Sequence, residues 1–387
     1  MKYITPVLLT LVLTACGGGG GGGSSPVATA DTAAVIQMVQ VQQHTNTIYN
    51  TASGDLNGDG LDDVVVSGWN LNGATAYIWV FTQNSDGSLS DSTATLLPGI
   101  THGGTQHVFV ADFDGDGRND IFLPGFSDGS TTVAKHSTMF WGTGSNSQFS
   151  SYTFPELVTA HGACIDDVNG DGRLDMIVGD GGIYYNQGSR NFTLDTTVLH
   201  GNNYFSTCSV THQPNGDVNI FLGNNNAVAG YSDNVNIYNS IMTWQSAMGI
   251  GKPAGEGDTI DSLAVDVNGD GVKDLVLMRN SGNGRDVYTN NSDNTYTYST
   301  TLDTLGNDYY SYTVTVNGMP MILFPGNAVG TRLYKINNGL SVYKPTAFTD
   351  MNQGRTAQSA AVYRNTSTNK SFMLQLLDGT FYSKEIK

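Results

Sequence analysis

The stretch "DFDGDGRND" (residues 112–120) decides the fold, because it places four aspartates and two glycines within nine positions. Three more stretches have nearly the same pattern: "DLNGDGLDD" (55–63), "DVNGDGRLD" (167–175) and "DVNGDGVKD" (266–274). We call these four segments the aspartate turns and number their positions from 1 to 9. Carboxylates this close in sequence repel one another unless a cation lies between them. The pattern therefore predicts one cation site in each aspartate turn.

The chemistry of the side chains favours calcium as that cation. All the side-chain donors are oxygens, and calcium accepts six to eight oxygen ligands at flexible angles. We expect side-chain ligands at positions 1, 3, 5 and 9 and a backbone carbonyl at position 7, while glycines at positions 4 and 6 permit positive φ. The predicted calcium ligands are Asp55, Asn57, Asp59, Leu61, Asp63, Asp112, Asp114, Asp116, Arg118, Asp120, Asp167, Asn169, Asp171, Arg173, Asp175, Asp266, Asn268, Asp270, Val272 and Asp274.

An EF-hand is the alternative calcium motif for such a loop. Its loop ends with a bidentate glutamate at position 12 and continues into a helix. Position 12 here is Val66, Leu123, Val178 or Leu277, and the flanking residues are β-branched or apolar. The sequence therefore predicts a strand on each side of the turn, with calcium in a structural role.

The aspartate turns lie within a longer repeat of about fifty residues. Each unit has an apolar strand, the turn, a second apolar strand, then two more strands joined by a Gly/Asn/Ser-rich hairpin. Degraded copies occur at "CSVTHQPNGDVNIFLG" (208–223), "YTVTVNGMPMILFPG" (312–326) and "AAVYRNTSTNKSFMLQLLDG" (360–379). Seven units of four strands predict an all-β, seven-bladed β-propeller of four-stranded antiparallel blades.

The last unit has only three predicted strands before Lys387. The stretch "TAAVIQMVQVQ" (32–42) precedes the first unit and has the composition of a strand. We expect this N-terminal strand to complete the last blade, because its pairing there protects the free edges of the ring.

These repeats resemble the FG-GAP/VCBS repeats of integrin α-like, calcium-binding β-propellers, over residues 31–387. The Phe-Gly and Gly-Ala-Pro signatures themselves are replaced by "SGW", "LPGF" and "VGDGG". The resemblance implies that the loops opposite the calcium turns bind partners. Candidates on that face are Trp69, His102, His161, His200, Glu256, Tyr309 and Tyr310.

Two other interpretations of those seven residues stay open. In the first, these side chains pack the loops and line the rim of the central channel. In the second, the histidines bind a transition metal, although their spacing is not specific for a metal site.

The N-terminus "MKYITPVLLTLVLTAC" (1–16) has the layout of an export signal, and Leu-Thr-Ala-Cys resembles the lipobox of bacterial lipoproteins. That resemblance implies cleavage before Cys16 and acyl chains on it. The absence of Asp after the cysteine implies the outer membrane, with the domain on its periplasmic or extracellular side. We therefore divide the chain into a signal peptide with lipobox (1–16), a flexible Gly/Ser-rich tether (17–30) and a propeller (31–387).

The remaining cysteines and the charge limit the environment and the partners. Cys164 and Cys208 lie on the first strands of neighbouring units, so they form a disulfide in an exported protein or remain two buried thiols. The formal charge of −17 argues against a nucleic-acid partner, because phosphate binding needs Lys and Arg. We expect a monomer that contacts the membrane through its lipid anchor only.

The sequence favours a binding function over catalysis. Outside the aspartate turns, the acidic residues are scattered, and no nucleophile elbow or phosphate-binding loop occurs. We expect a surface recognition module that binds a glycan or a protein, in adhesion or an envelope interaction. The alternatives are an extracellular polysaccharide lyase or hydrolase and a structural component of the envelope.

Overall fold

The computed structural model divides the chain into a unit over Met1–Ala33 and a unit over Ala34–Lys387, and the second holds all the described residues. The described residues are 37–40, 47–70, 76–97, 105–126, 135–143, 148–158, 161–179, 181–200, 205–224, 233–251, 257–279, 284–302, 311–325, 331–336, 340–343, 357–377 and 380–386. Within these ranges, no helix is long and apolar enough to cross a membrane. The predicted signal peptide, Cys16 and the tether lie outside them.

The described residues form seven four-stranded antiparallel sheets, which confirms the predicted propeller. Blades 1 to 3 are β2(Thr47–Gly54), β3(Asp63–Asn70), β4(Ala76–Gln83), β5(Leu89–Asp91); β6(Phe109–Ala111), β7(Asp120–Leu123), β8(Lys135–Trp141), β9(Ser150–Val158); and β10(Ala163–Asp166), β11(Asp175–Val178), β12(Gly182–Gly188), β13(Asn191–Asp195). Blades 4 and 5 are β14(Thr207–His212), β15(Val218–Gly223), β16(Asn234–Tyr238), β17(Trp244–Gly249); and β18(Thr259–Val265), β19(Asp274–Arg279), β20(Arg285–Asn290), β21(Tyr296–Thr301). Blades 6 and 7 are β22(Tyr312–Val316), β23(Met319–Phe324), β24(Arg332–Ile336), β25(Leu340–Tyr343); and β26(Ala357–Asn365), β27(Lys370–Leu377), β28(Thr380–Ile386) with β1(Gln37–Gln40). A short helix, α1(Thr93–Leu96), follows blade 1.

The aspartate turns join the first and second strands of blades 1, 2, 3 and 5, and no helix flanks them. The degraded copies are plain hairpins. In blade 6 the connection is Asn317-Gly318, both at positive φ, which is the chemistry of a two-residue hairpin turn. In blade 4 it is residues 213–217, between the paired residues His212 and Val218.

The cores of the propeller lie between blades. The buried apolar residues that the structure describes form seven clusters, and each cluster combines side chains of two neighbouring blades. One of them joins Val64 and Phe81 of blade 1 to Tyr363 and Phe372 of blade 7, so the first and last blades also share a core. The second strands of blades 2 to 5 are buried along their whole length, which explains why the second strands are almost wholly apolar.

The first and last described strands lie side by side in blade 7, whose sheet order is β1-β28-β27-β26. Gln37–Gln40 pairs antiparallel with residues 380–383 of β28. The rest of the stretch 32–42 lies outside the described residues. That this strand stabilises the closed ring stays a prediction.

Candidate metal-binding turns

The backbone of the four aspartate turns is the same in each blade. Both glycines have positive φ, as in Gly115 (77°) and Gly117 (83°) of blade 2. This curls the chain so that successive N–H groups point at the side chain of position 1, and the N–H of position 6 donates to it in all four turns. In blade 2, Asp112 accepts hydrogen bonds from the N–H groups of Gly115 (2.8 Å), Asp116 (3.1 Å) and Gly117 (2.8 Å). A side chain at either glycine is disfavoured by the backbone itself rather than by crowding.

Positions 3 and 5 are oriented by the same kind of bond. The side-chain oxygen at each position accepts the N–H two residues further on, as from Asp116 to Asp114 (3.1 Å) and from Arg118 to Asp116 (2.9 Å). Asn57, Asn169 and Asn268 do this with their amide oxygens. In blade 2 the result is three carboxylates, Asp112, Asp114 and Asp116, whose oxygens lie within 4.8 Å of one another.

Position 9 has a second role that the sequence did not reveal. Asp63, Asp120, Asp175 and Asp274 are at most 1% exposed. In each, Oδ2 accepts the N–H of position 2 and Oδ1 accepts an N–H from the third strand or the residue after it; for Asp120 these donors are Phe113 (2.9 Å) and Gly142 (2.7 Å). The carboxylate thereby joins the turn to the third strand, and each oxygen keeps a lone pair for a cation.

Without a cation, the surroundings of the position 9 carboxyl disfavour its ionised form. Burial raises the pKa of Asp63, Asp120 and Asp175 to about 7 and also raises that of Asp274, and the other carboxylates of each turn add to the effect. The backbone N–H groups oppose this rise. A divalent cation among the turn oxygens favours the ionised form, so the oxygen-only donor set fits a hard cation such as calcium.

Position 7 differs between blades in its side chain. Leu61 and Val272 are buried, whereas Arg118 and Arg173 run back over the turn. Arg173 pairs with Asp171 (2.6 Å) and its Nε donates to the carbonyl of Asn186, and Arg118 pairs with Asp116 in the same way.

The first strands of all seven blades enclose a cavity of about 410 Å³ on the ring axis. Asp261 on its wall is 6% exposed and accepts hydrogen bonds from the N–H (2.6 Å) and hydroxyl (2.8 Å) of Ser311 and the hydroxyl of Thr207 (3.2 Å). Burial raises the pKa of Asp261 to about 7 and lowers that of His107, also on the cavity wall, to about 4. Through these hydrogen bonds to Thr207 and Ser311, the carboxylate of Asp261 joins blades 4, 5 and 6.

Cys164 of β10 and Cys208 of β14 form a disulfide between blades 3 and 4, with their Cα atoms 5.6 Å apart. Both line the central cavity. The bond therefore joins the first strands of two neighbouring blades covalently.

The candidate partner-binding residues are only partly described. His102, Glu256, Tyr309 and Tyr310 lie outside the described residues, and of Trp69 only the strand is described. His161 precedes β10, at the end opposite the turn, and its ring meets Phe126 edge-on at 4.7 Å. His200 packs on Trp244 at 4.5 Å. Trp244 begins β17, beside the hairpin that joins β16 and β17.

A comparison with protein-family models agrees with the repeat. Residues 55–123, which span most of blade 1, the linker and the aspartate turn of blade 2, match the family model of the FG-GAP-like repeat. The chain thus contains an FG-GAP-like repeat in a seven-bladed propeller, as the sequence predicted. No curated protein matches it. Among solved structures, a chain in the crystal structure of BBS1N in complex with ARL6DN, soaked with mercury, is similar with 13% identity and a TM-score of 0.40, over 80% of this chain and 97% of that chain.

Proposed function

We propose that this protein is a calcium-stabilised recognition module, lipid-anchored in the bacterial outer membrane, that binds a glycan or protein ligand without catalysing a reaction. The FG-GAP propeller fold suggests a ligand-binding or recognition module. The observation that carries the calcium part is the repeated donor set, in which the N–H of position 6 donates to the carboxylate of position 1 in four blades. The anchor rests on the sequence "LTAC" (13–16).

Calcium acts here as a structural ion. Each turn joins the first two strands of a blade, and position 9 extends the connection to the third strand, so binding energy adds to the stability of the folded blade. The modest number of carboxylates in three of the turns favours a Kd of about 10⁻⁴ to 10⁻³ M. Such an affinity suits a calcium-rich exterior rather than a cytoplasm.

The non-catalytic part is supported by the roles of the described acidic residues. Asp261 is engaged by Ser311 and Thr207, and Glu156 accepts the hydroxyl of Tyr184 at 3.3 Å. A general acid and base must instead be free to reach a substrate. The alternative of a polysaccharide lyase or hydrolase is kept as an outcome of the test.

The test of calcium binding is calorimetry on the full chain. We expect about four sites, reduced by one in Asp112→Ala, and a titration without heat would refute the calcium part. The recognition part is tested on a glycan array and a panel of envelope proteins, each with and without EDTA. Calcium-dependent binding supports it, whereas turnover of a polysaccharide by the purified protein would identify an enzyme.

The anchor has its own measurement. Mass spectrometry of the mature N-terminus should find acyl chains on Cys16, and Cys16→Ser should release the protein from the membrane fraction. An unmodified Cys16 would contradict the lipid anchor and leave the calcium and recognition parts intact.

A further inference from the structure

A positively charged side chain from blade 3, Arg190, reaches the aspartate turn of blade 2. Arg190 lies at the tip of the hairpin between β12 and β13 of blade 3, and its Nε donates to Oδ2 of Asp114 at 2.7 Å. Its terminal nitrogen lies 3.8 Å from Asp116. The guanidinium therefore lies beside two of the three carboxylates that form the acidic cluster of this turn.

The hairpin and two aromatic rings hold Arg190 in this position. Ser189 and Arg190 both have positive φ (54° and 64°), as a tight two-residue hairpin requires. The guanidinium lies over the ring of Trp141 in blade 2, 5.0 Å from its centre, and that ring stacks on Phe192 of blade 3. Arg190 is thus directed at the turn by contacts from both blades.

The carboxylate that Arg190 meets is the one that sets this turn apart. Position 3 is aspartate only in blade 2, whereas Asn57, Asn169 and Asn268 fill it in the other turns. The side chain of Asp114 is 6% exposed, so its charge is poorly screened by water. Arg190 offsets one carboxylate, which leaves the turn of blade 2 with the same net charge as that of blade 3.

The equivalent hairpin of blade 5 provides a matched comparison. Asn294, also at positive φ (69°), occupies the position of Arg190 and donates to Asp217 of blade 4 at 2.7 Å. Blade 4 has no aspartate turn, and there the contact across the blades is made by an uncharged amide. The cationic side chain thus occurs where the neighbouring turn has an extra carboxylate.

We propose that Arg190 is a built-in counter-cation of Asp114, which stabilises the turn of blade 2 when calcium is absent and weakens calcium binding there. The calcium half of this inference rests on the proposed function. The physical reason is that a fixed positive charge beside the site repels a second cation while it removes the repulsion among the carboxylates. Arg190 thereby tunes one of the proposed calcium sites from the adjacent blade.

The first experiment needs no calcium. Thermal unfolding in EDTA is measured for the wild type, Arg190→Gln, Asp114→Asn and the double variant. We expect Arg190→Gln to lower Tm by about 1–2 °C and to have little effect in the Asp114→Asn background, because the unmatched carboxylate is then gone. Equal effects of Arg190→Gln in both backgrounds would overturn the counter-cation role.

The second experiment follows the site of blade 2 separately. Trp141 lies close enough to sensitise terbium bound in this turn, and loss of emission in Asp112→Ala assigns the signal. Calcium is then titrated against bound terbium. We expect Arg190→Gln to strengthen calcium binding about three- to tenfold, Arg190→Lys to stay close to the wild type, and Asp114→Asn to remove most of the difference.

The outcomes separate this inference from the proposed function. Calcium binding that is unchanged or weaker in Arg190→Gln overturns the tuning role while the proposed function stands. An absence of calcium and terbium binding in the wild type refutes the proposed function and the calcium half together, and the EDTA experiment still decides the ion pair by itself.

Discussion

Blade 2 has the aspartate turn with the most carboxylates at positions 1, 3, 5 and 9, whereas blade 4 joins its first two strands by residues 213–217, in which Asp217 is the single carboxylate. Blade 4 is instead joined to its neighbours by a disulfide and a fully buried ion pair, neither of which blade 2 has among the described residues. The disulfide Cys164–Cys208 connects it to blade 3. Toward blade 5 it is held by a buried ion pair.

That ion pair centres on Arg279 at the end of β19, which is fully buried together with its partners. Arg279 meets Asp233 of blade 4 at 2.6 Å and Asp286 of its own blade at 2.9 Å. Burial alone lowers the pKa of Arg279, but the two carboxylates more than reverse this, so the guanidinium stays charged. Blade 4, which has no aspartate turn, is thus held to its neighbours by a covalent and an ionic bond.

The largest effect is expected where blade 4 meets blade 5. Arg279→Met leaves two carboxylates buried without their cation, which should destabilise the fold by about 3–5 kcal/mol. Urea unfolding measures this, with Lys370→Met as a control, because its exposed pair with Glu385 should contribute no more than about 1 kcal/mol. Similar losses in both variants would mean that the buried network does not hold blade 4.

The disulfide should have the next largest effect. It closes a loop with a sequence separation of 44, so replacing both cysteines by alanine should cost about 2–4 kcal/mol. Reductant should lower the Tm of the wild type and leave that of the double variant unchanged. A reductant-sensitive double variant would contradict this assignment.

The turns themselves give a third comparison. Asp112→Ala should remove one calcium site, with a loss of about 2.7 kcal/mol at a calcium concentration of 100 Kd. Asp217→Ala is the matched change in blade 4 and should leave both the number of bound calcium ions and the effect of EDTA on Tm as they are in the wild type. If both variants lose a site, blade 4 also binds calcium and the contrast between the blades fails.

The smallest effect concerns the pH dependence of the contact between blades 4, 5 and 6 at Asp261. Its pKa is raised from the ordinary value of 3.8 to about 7 in the folded state, so the folded state binds the proton more tightly than the unfolded chain. The contribution of Asp261 to the free energy of unfolding is fully present below about pH 4 and is lost as the pH rises through about 7. Because Asp261 lines the cavity, water there should limit the loss to on the order of 1–2 kcal/mol.

Asp261→Asn tests this pH dependence, since the amide oxygen still accepts from Ser311 but does not ionise. Denaturation at several pH values in saturating calcium should show a flatter slope between pH 4 and 7 in the variant, because bound cations keep the turn carboxylates ionised throughout. Equal slopes would exclude Asp261 as the titrating group.

Much of this molecule follows from local sequence. The glycines and aspartates of each turn dictate its backbone through contacts within nine residues, and the apolar strands on each side follow from their period and composition. The repeat then predicts seven blades, and the two cysteines fall on neighbouring first strands. All these features depend on residues that are close in the chain or on spacing repeated along it.

Contacts between different blades could be identified only from the tertiary structure. The distance of 76 residues between Arg190 and Asp114 carries no signal in the sequence, and neither does the second role of Asp120, which depends on the N–H of Gly142. The contact of His200 with Trp244, which belongs to blade 4, likewise has no signal in the local sequence. The sequence determined the turns and the blades, because these form from neighbouring residues. Only the closed ring decided which charges meet, because it brings together side chains from blades that fold as separate sheets.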